Sequence, residues 1–241
     1  PWRRPQCHQA ALLAGGIGCP TSLVDHKRWR MIRAFLAVEL PPDFRAAVSS
    51  VQQDLKRRLE PAVDRQVRIS WVQPASMHLT VKFLGETPEH VIESLFAMVS
   101  GVAAAHRTIE VPFSRLGTFP RPQQPRVLWA GPLESWERGS EGERLQALYR
   151  AVEKECRAAG LAAEERPFSP HLTLARIKEG ERQVGEGLAH SGVLNHPVTI
   201  GLLPITTLVM MRSELRPAGP VYSTLWTCPL TQADEPGHGA A

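Results

Sequence analysis

Large and branched apolar residues fill "IRAFLAVEL" almost without a break, and the run stops at Pro41 and Pro42, which predicts a buried strand opening near Met31. Phe44, Val48, Val51, Leu55 and Leu59 then recur at spacings of three and four, so an amphipathic helix follows, with Asp43 as its expected N-cap and Pro61 as its stop. "VRISWV" and "MHLTVKFLG" read as strands on either side of a turn at Pro74. Thr87-Pro88 reads as N-cap and first helical position of a second helix, whose apolar stripe is Val91, Ile92, Leu95, Phe96, Val99 and Val102. "TIEVPFSRLGTF" and "RVLWAGP" are expected strands joined by the Pro- and Arg-rich loop "PRPQQPR". Leu145, Leu148, Val152, Cys156 and Ala159 form a third helical stripe that ends at Gly160. "HLTLARI" is a strand, a polar segment comes next, and "PVTIGLLPITTLVMMRSEL" and "PVYSTLWTCPL" carry the last strands. This order predicts an α+β fold with helices packed on antiparallel sheets, and the return of one strand theme in both halves suggests a duplication.

Composition narrows this picture modestly. The 241 residues are 43% hydrophobic and 22% charged, ordinary for one globular domain, here expected over residues 31–231. A formal charge of +4 supports an anionic ligand only weakly. The first thirty residues have a basic start and a short apolar middle, a faint likeness to a signal peptide, but Gly15, Gly16 and Gly18 break the apolar part. Residues 1–30 are expected to be a disordered extension, with a natural start elsewhere because the chain begins on Pro1; residues 232–241 are expected to be a flexible tail. Cys7, Cys19, Cys156 and Cys228 form no CxxC pair, so neither a disulfide framework nor a structural zinc is suggested, and a reducing, cytoplasmic setting is expected. The longest apolar stretch is too short for a bilayer and contains Pro204, so no membrane span is expected. No GxGxxG, phosphate-binding Gly-rich loop, HExxH or GxSxG is present.

The chemistry lies in a repeated tripeptide. His-Leu-Thr stands in "MHLTVKFLGE" and again in "PHLTLARIK". Alternation along a strand puts His78 and Thr80 on one face and Leu79 and Val81 on the other; His171 and Thr173 stand likewise against Leu172 and Leu174. Two such strands facing one cleft would deliver two imidazoles and two hydroxyls. That set suits in-line attack at phosphorus: one imidazole takes a proton from water, the other gives one to the leaving oxygen, and the hydroxyls hold the non-bridging oxygens. One copy alone is a chance string in a strand; two in matched contexts are not easily so. Two histidines could also ligate zinc, but no third ligand recurs beside them. By parity Lys82 shares the face of His78 and Thr80. Phe83 and Arg176 fall on the opposite faces from Thr80 and Thr173, so a bulge, a twist or a strand end is needed to bring either to a substrate; otherwise Phe83 is a core aromatic. Arg121 and Arg126 could steer an anionic chain or simply be solvated, and Trp71 and Trp129 are expected in the core.

With these motifs in view the chain resembles the two-histidine (2H) phosphoesterases, and within them the bacterial and archaeal RNA 2′,3′-cyclic phosphodiesterase branch, also called the 2′-5′ RNA ligase branch. The resembling stretches are "RAFLAVELP", "WVQPASMHLTVKFLGE", "PFSRLGTFPRPQQPRVLWAG", "RPFSPHLTLAR" and "SELRPAGPVYSTLWTCPL", in the family's order and covering nearly all of residues 31–231. The resemblance implies a bilobal, pseudo-twofold duplicated α+β fold with antiparallel sheets, helices packed outside and an active-site cleft between the lobes. It implies hydrolysis of an RNA terminal 2′,3′-cyclic phosphate to a 2′-phosphomonoester, without metal or other cofactor, and in some members 2′-5′ joining of tRNA halves. Carried onto this chain, His78 and His171 are the catalytic pair, Thr80, Thr173 and Arg176 hold the phosphate, and Phe83 lies against ribose or base. A monomer is expected. A first assignment makes His171 the base and His78 the acid, with the reverse left open by the symmetry of the motifs. Two other functions remain open: a phosphodiesterase for a small cyclic nucleotide or ADP-ribose cyclic phosphate, and a nucleotide- or RNA-binding module without turnover.

Overall fold

In a computed structural model the protein is described over residues 29–64, 66–217 and 219–232. The expected extension and tail therefore lie almost wholly outside the described residues, as do Cys7 and Cys19. Among the described residues the strands are β1 (Met31–Glu39), β2 (Arg68–Trp71), β3 (His78–Pro88), β4 (Ile109–Phe113), β5 (Arg115–Phe119), β6 (Val127–Gly131), β7 (Leu172–Glu179), β8 (Gly201–Ile205), β9 (Thr207–Arg216) and β10 (Gly219–Pro229). The helices are α1 (Pro42–Leu59), α2 (Glu89–Ala104), α3 (Glu134–Glu137), α4 (Ser140–Ala158) and α5 (Glu181–Ser191).

Two four-stranded sheets carry the molecule, ordered β10-β9-β1-β3 and β2-β7-β6-β5, with a separate β4-β8 pair. Every pairing between these strands is antiparallel. α2 and α4 pack together, α2 against β10 and α4 against β3; α1 packs on α5 and β8. One buried apolar cluster draws on both sheets and these helices, including Leu36, Leu55, Leu79, Leu95, Leu148, Leu172 and Leu188. Burying such side chains is the main favourable term of folding. A second, smaller cluster of Phe35, Ala37, Val209 and Met211, with Tyr222 against it, lies on the opposite face of the first sheet.

Several boundaries differ from the sequence reading, each for a local reason. Pro41 occupies the N-cap of α1, with Asp43 inside the first turn, where its charge suits the helix dipole. β3 runs through Pro88 and α2 begins at Glu89; the Thr87 hydroxyl donates to the Leu84 carbonyl (3.1 Å) instead of capping the helix. "TIEVPFSRLGTF" divides at Ser114 into strands of two different sheets. The polar segment after the second His-Leu-Thr holds α5, whose buried side is only Val184, Gly185, Gly187 and Leu188. Two glycines in that face weaken the apolar signal that identifies a helix. Gly160 has the left-handed conformation (φ 84°) expected just beyond α4.

Candidate active site

The two His-Leu-Thr segments have one architecture. Residues 78–83 and 171–176 share a burial pattern position for position: half-buried, buried, half-buried, buried, buried, exposed. In a strand with one face only half-buried, alternation alone does not give two buried residues in succession, and the register shows what does. Opposite β3, Leu36 pairs with Lys82 and Ala37 with Thr80, so Val81 is an extra residue. Opposite β7, Leu128 pairs with Ala175 and Trp129 with Thr173, so Leu174 is extra. Each is a β-bulge, which shifts the parity of the residues that directly follow it by one.

The bulges settle three residues that parity had misplaced or left open. Phe83 returns to the face of His78 and Thr80, 58% exposed, with its ring 6.1 Å from that of Phe35. Arg176 returns to the face of His171 and Thr173, exposed and without an ion pair among the described residues. Lys82 goes the other way, correcting the expectation that it shares the motif face. Its side chain is 3% exposed; its ammonium donates to the Ala162 carbonyl (2.9 Å) and lies 2.8 Å from Oε2 of Glu153, off the line of a hydrogen bond. The second motif has alanine at the equivalent position, Ala175, so Lys82 belongs to the packing of β3 on α4.

Both imidazoles are held alike. His78 Nδ1 lies 3.0 Å from the Ser76 carbonyl and His171 Nδ1 lies 2.8 Å from the Ser169 carbonyl. A carbonyl can only accept, so Nδ1 carries the proton and Nε2 is left to exchange one with a substrate. The signal for this was present in the chain as Ser-x-His in both copies, "SMH" and "SPH". Aromatic rings pin each imidazole further. Phe35 stacks on His78 at 4.5 Å and Tyr222 meets it edge-on at 5.1 Å. Phe119 meets His171 edge-on at 5.0 Å, with Trp129 at 6.4 Å. Trp129 is core, as expected, and 7% exposed, but it also walls His171; Trp71 is only half-buried, at the margin of the core. Trp129 lies directly over Gly117, where any Cβ would collide with the indole, so glycine is required there. Tyr222, Phe35 and Phe119 were not singled out from the sequence, because they come to the motif strands from distant parts of the chain: β1 pairs with β3, while β10 and β5 are set off from β3 and β7 by intervening strands of the same sheets.

The electrostatics tie the two halves together. Burial lowers the His78 pKa to about 4, offset by its bond to the Ser76 carbonyl and helped down by the charge of Arg176. Burial likewise lowers the His171 pKa, offset by the Ser169 carbonyl and helped down by the same Arg176. One guanidinium thus acts on both imidazoles and on Tyr222, which places them around a single cleft. Gln52 of α1 bridges the junction, donating to the carbonyls of Val72 and Leu174 at 2.8 Å each. Both histidines are neutral near pH 7 in the free protein. For His78 the neutral form favoured by the fold contributes stability above the unfolded pKa near 6.5, and that contribution is lost as pH falls towards 4; His171 contributes in the same direction. Arg121 and Arg126 are exposed on the Pro-rich loop; Arg126 lies 3.6 Å from Glu181. Among the described residues no three His, Cys, Asp or Glu side chains gather as a metal site needs, and no helix is long and apolar enough to cross a membrane.

Comparison with known proteins agrees with this geometry. A family model described as LigT-like phosphoesterase matches residues 38–129 and 139–222. An RNA 2′,3′-cyclic phosphodiesterase of Methanothermobacter thermautotrophicus is 33% identical over 194 residues, 80% of this chain and 96% of that one. One of Thermus thermophilus is 33% identical over 198 residues, 80% and 88% of the two chains. Among solved structures, one from Thermus thermophilus superposes with a TM-score of 0.59 at 32% identity, covering 83% of this chain and 98% of that one. E. coli LigT complexed with 3′-AMP has a TM-score of 0.63 at 22% identity, covering 84% and 100%, a likeness of fold.

Proposed function

The chain belongs to the LigT-like phosphoesterases of the two-histidine superfamily, and from that premise we propose that it hydrolyses the terminal 2′,3′-cyclic phosphate of RNA to a 2′-phosphomonoester. The observation that carries the reading is the pair of matched imidazoles, each with Nδ1 bound to a carbonyl and Nε2 free, flanking one arginine. A binding module has no use for two proton-transfer groups held in the same tautomer. In the proposed reaction water attacks phosphorus opposite O3′, the P–O3′ bond breaks, and the 2′-phosphate remains. His171 Nε2 takes the proton from water and His78 Nε2 delivers one to O3′. The exposed Phe83 supports this order, because a ribose or base resting on it puts the leaving oxygen on the His78 side. Thr80 and Thr173 donate to the non-bridging oxygens, and Arg176 holds their charge.

The chain's own groups cover both proton transfers and the phosphate charge, so the mechanism calls for no metal or other cofactor. With the 5′-hydroxyl of a second RNA taking the place of water as the nucleophile, the same groups would open the cyclic phosphate into a 2′-5′ linkage, O3′ leaving as a hydroxyl, with tRNA halves among the candidate ends. The buried free thiols of Cys156 and Cys228 suit the reducing cytoplasm. The testing experiment incubates a short RNA ending in a 2′,3′-cyclic phosphate with the protein in excess EDTA and locates the product phosphate by chromatography. A 2′-phosphate is expected at the rate seen without EDTA. A 3′-phosphate, or loss of turnover in EDTA, overturns the mechanism; no turnover of RNA with turnover of cyclic mononucleotides moves the substrate to the smaller class.

The pH dependence follows from the lowered pKa values. Turnover needs one imidazole neutral and one protonated, and both titrate below the ordinary 6.5 in the free protein. The optimum of kcat/KM is therefore expected on the acid side of 6.5. Bound phosphate engages Arg176 and adds an anion beside both rings, which raises their pKa values, so the kcat profile is expected at higher pH than that of kcat/KM. Coincident profiles would contradict the role given to Arg176.

A further inference from the structure

The cleft face of the first sheet continues past the proposed phosphate site. Along β1, Arg33, Phe35, Ala37 and Glu39 share one face, while Ile32, Ala34, Leu36 and Val38 enter the core. Ala37 stands opposite Thr80 and Phe35 opposite Phe83, so Arg33 comes two residues beyond the exposed phenylalanine, about 13 Å along the strand from the threonine level. Arg33 is exposed. Its register partner is Glu86, yet among the described residues it makes no ion pair. Many other arginines are engaged with carboxylates, as Arg57 and Arg58 are with Asp54, Arg68 with Glu179 and Arg115 with Glu134. The Arg33 guanidinium lies instead within electrostatic reach of Tyr222, whose hydroxyl pKa is raised by burial and drawn back by Arg176 and Arg33. Tyr222 packs edge-on to both Phe35 and His78. Two guanidiniums without a carboxylate partner among the described residues thus flank one aromatic platform, Arg176 at the proton-transfer end and Arg33 at the far end.

We propose that Arg33 binds the phosphate on the 5′ side of the terminal nucleotide, making the site selective for a cyclic phosphate that ends a nucleic-acid chain over one on a bare nucleoside. This rests on the reading of the cleft as a site for RNA-terminal cyclic phosphates. In such a nucleotide the 2′ and 3′ oxygens and the 5′ carbon leave the ribose on opposite sides. With the cyclic phosphate between His78 and His171 and the nucleoside on Phe83, the 5′ substituent points onward along β1, where the Arg33 cation stands. Arginine suits a phosphate there because its planar donors match two oxygens at once.

The test compares adenosine 2′,3′-cyclic phosphate, its 5′-phosphorylated form and an ApA dinucleotide ending in the cyclic phosphate, in wild type, Arg33→Ala, Arg33→Gln and Arg33→Lys. Wild type is expected to show kcat/KM about tenfold higher for the two substrates with a 5′ phosphate, the size of one charge-assisted contact. Arg33→Ala and Arg33→Gln should remove that preference and leave the unphosphorylated nucleotide unchanged, with Arg33→Lys retaining part of it. For the dinucleotide, the slope of log kcat/KM against log salt should fall by about 0.7 in Arg33→Ala. No preference in wild type, or an equal loss on all three substrates in the variants, overturns the proposal. Binding separates it from the reading beneath it: adenosine 2′,5′-bisphosphate should bind wild type more tightly than adenosine 2′-monophosphate, and the two should bind Arg33→Ala alike. That result without turnover would sink the enzyme and keep the subsite; turnover with equal binding would do the reverse.

Discussion

Replacing either His78 or His171 with alanine is expected to lower kcat on an RNA 2′,3′-cyclic phosphate by about 10²- to 10⁴-fold, the range of one positioned acid or base. KM should change little, because Thr80, Thr173 and Arg176 remain to hold the anion. Replacing both should cost far less than the product of the two losses, since two groups that act in one step are not additive. An activated aryl phosphodiester distinguishes their roles. A leaving group that needs no proton should restore His78→Ala and leave His171→Ala inactive; the opposite pattern exchanges acid and base, and restoration of neither breaks the paired mechanism. Far-UV circular dichroism guards against misfolding, which is not expected because both rings are only half-buried.

Lys82→Met is expected to lower stability by about 3 kcal/mol, the low end for breaking a buried ion pair from one side. In a domain of this size that corresponds to roughly 6–12 °C in Tm. The loss comes from stranding Glu153, whose carboxylate is 15% exposed and has Lys82 as its close cation. The Lys82→Met/Glu153→Leu double replacement should recover most of the stability, because two apolar side chains then fill the space without an unpaired charge. Urea or thermal unfolding of the four proteins forms a double-mutant cycle, and equal, additive losses would show that packing alone matters there. Lys82→Met should affect activity less than stability, because the side chain leaves β3 on the face away from His78.

Lys82 also marks the point where local periodicity ceases to predict placement. The strands and the first three long helices were legible because their apolar spacing obeys local periods that tertiary contacts then confirm, as with Leu55 and Leu59 or Leu145 and Val152. α5 was not, since half of its buried face is glycine. The paired His-Leu-Thr was legible because a strand fixes side-chain direction residue by residue. The directions of Lys82, Phe83 and Arg176, just after the motifs, were not, because a bulge is defined only against a partner strand. Those partners, β1 for β3 and β6 for β7, come from distant parts of the chain.

The amino-acid sequence by itself therefore determined the fold class, the two imidazoles and two hydroxyls and their faces, since periodicity and residue chemistry are local properties. Tertiary structure decided the rest: that bulges turn Phe83 and Arg176 to the motif face, where the family resemblance had put them against simple parity, while Lys82 is buried, that Tyr222, Phe35 and Phe119 brace the imidazoles, and that Arg33 stands beside them without a carboxylate partner among the described residues. Register, burial and charge pairing are relations between distant segments, and they exist only once the two sheets have closed around a shared core.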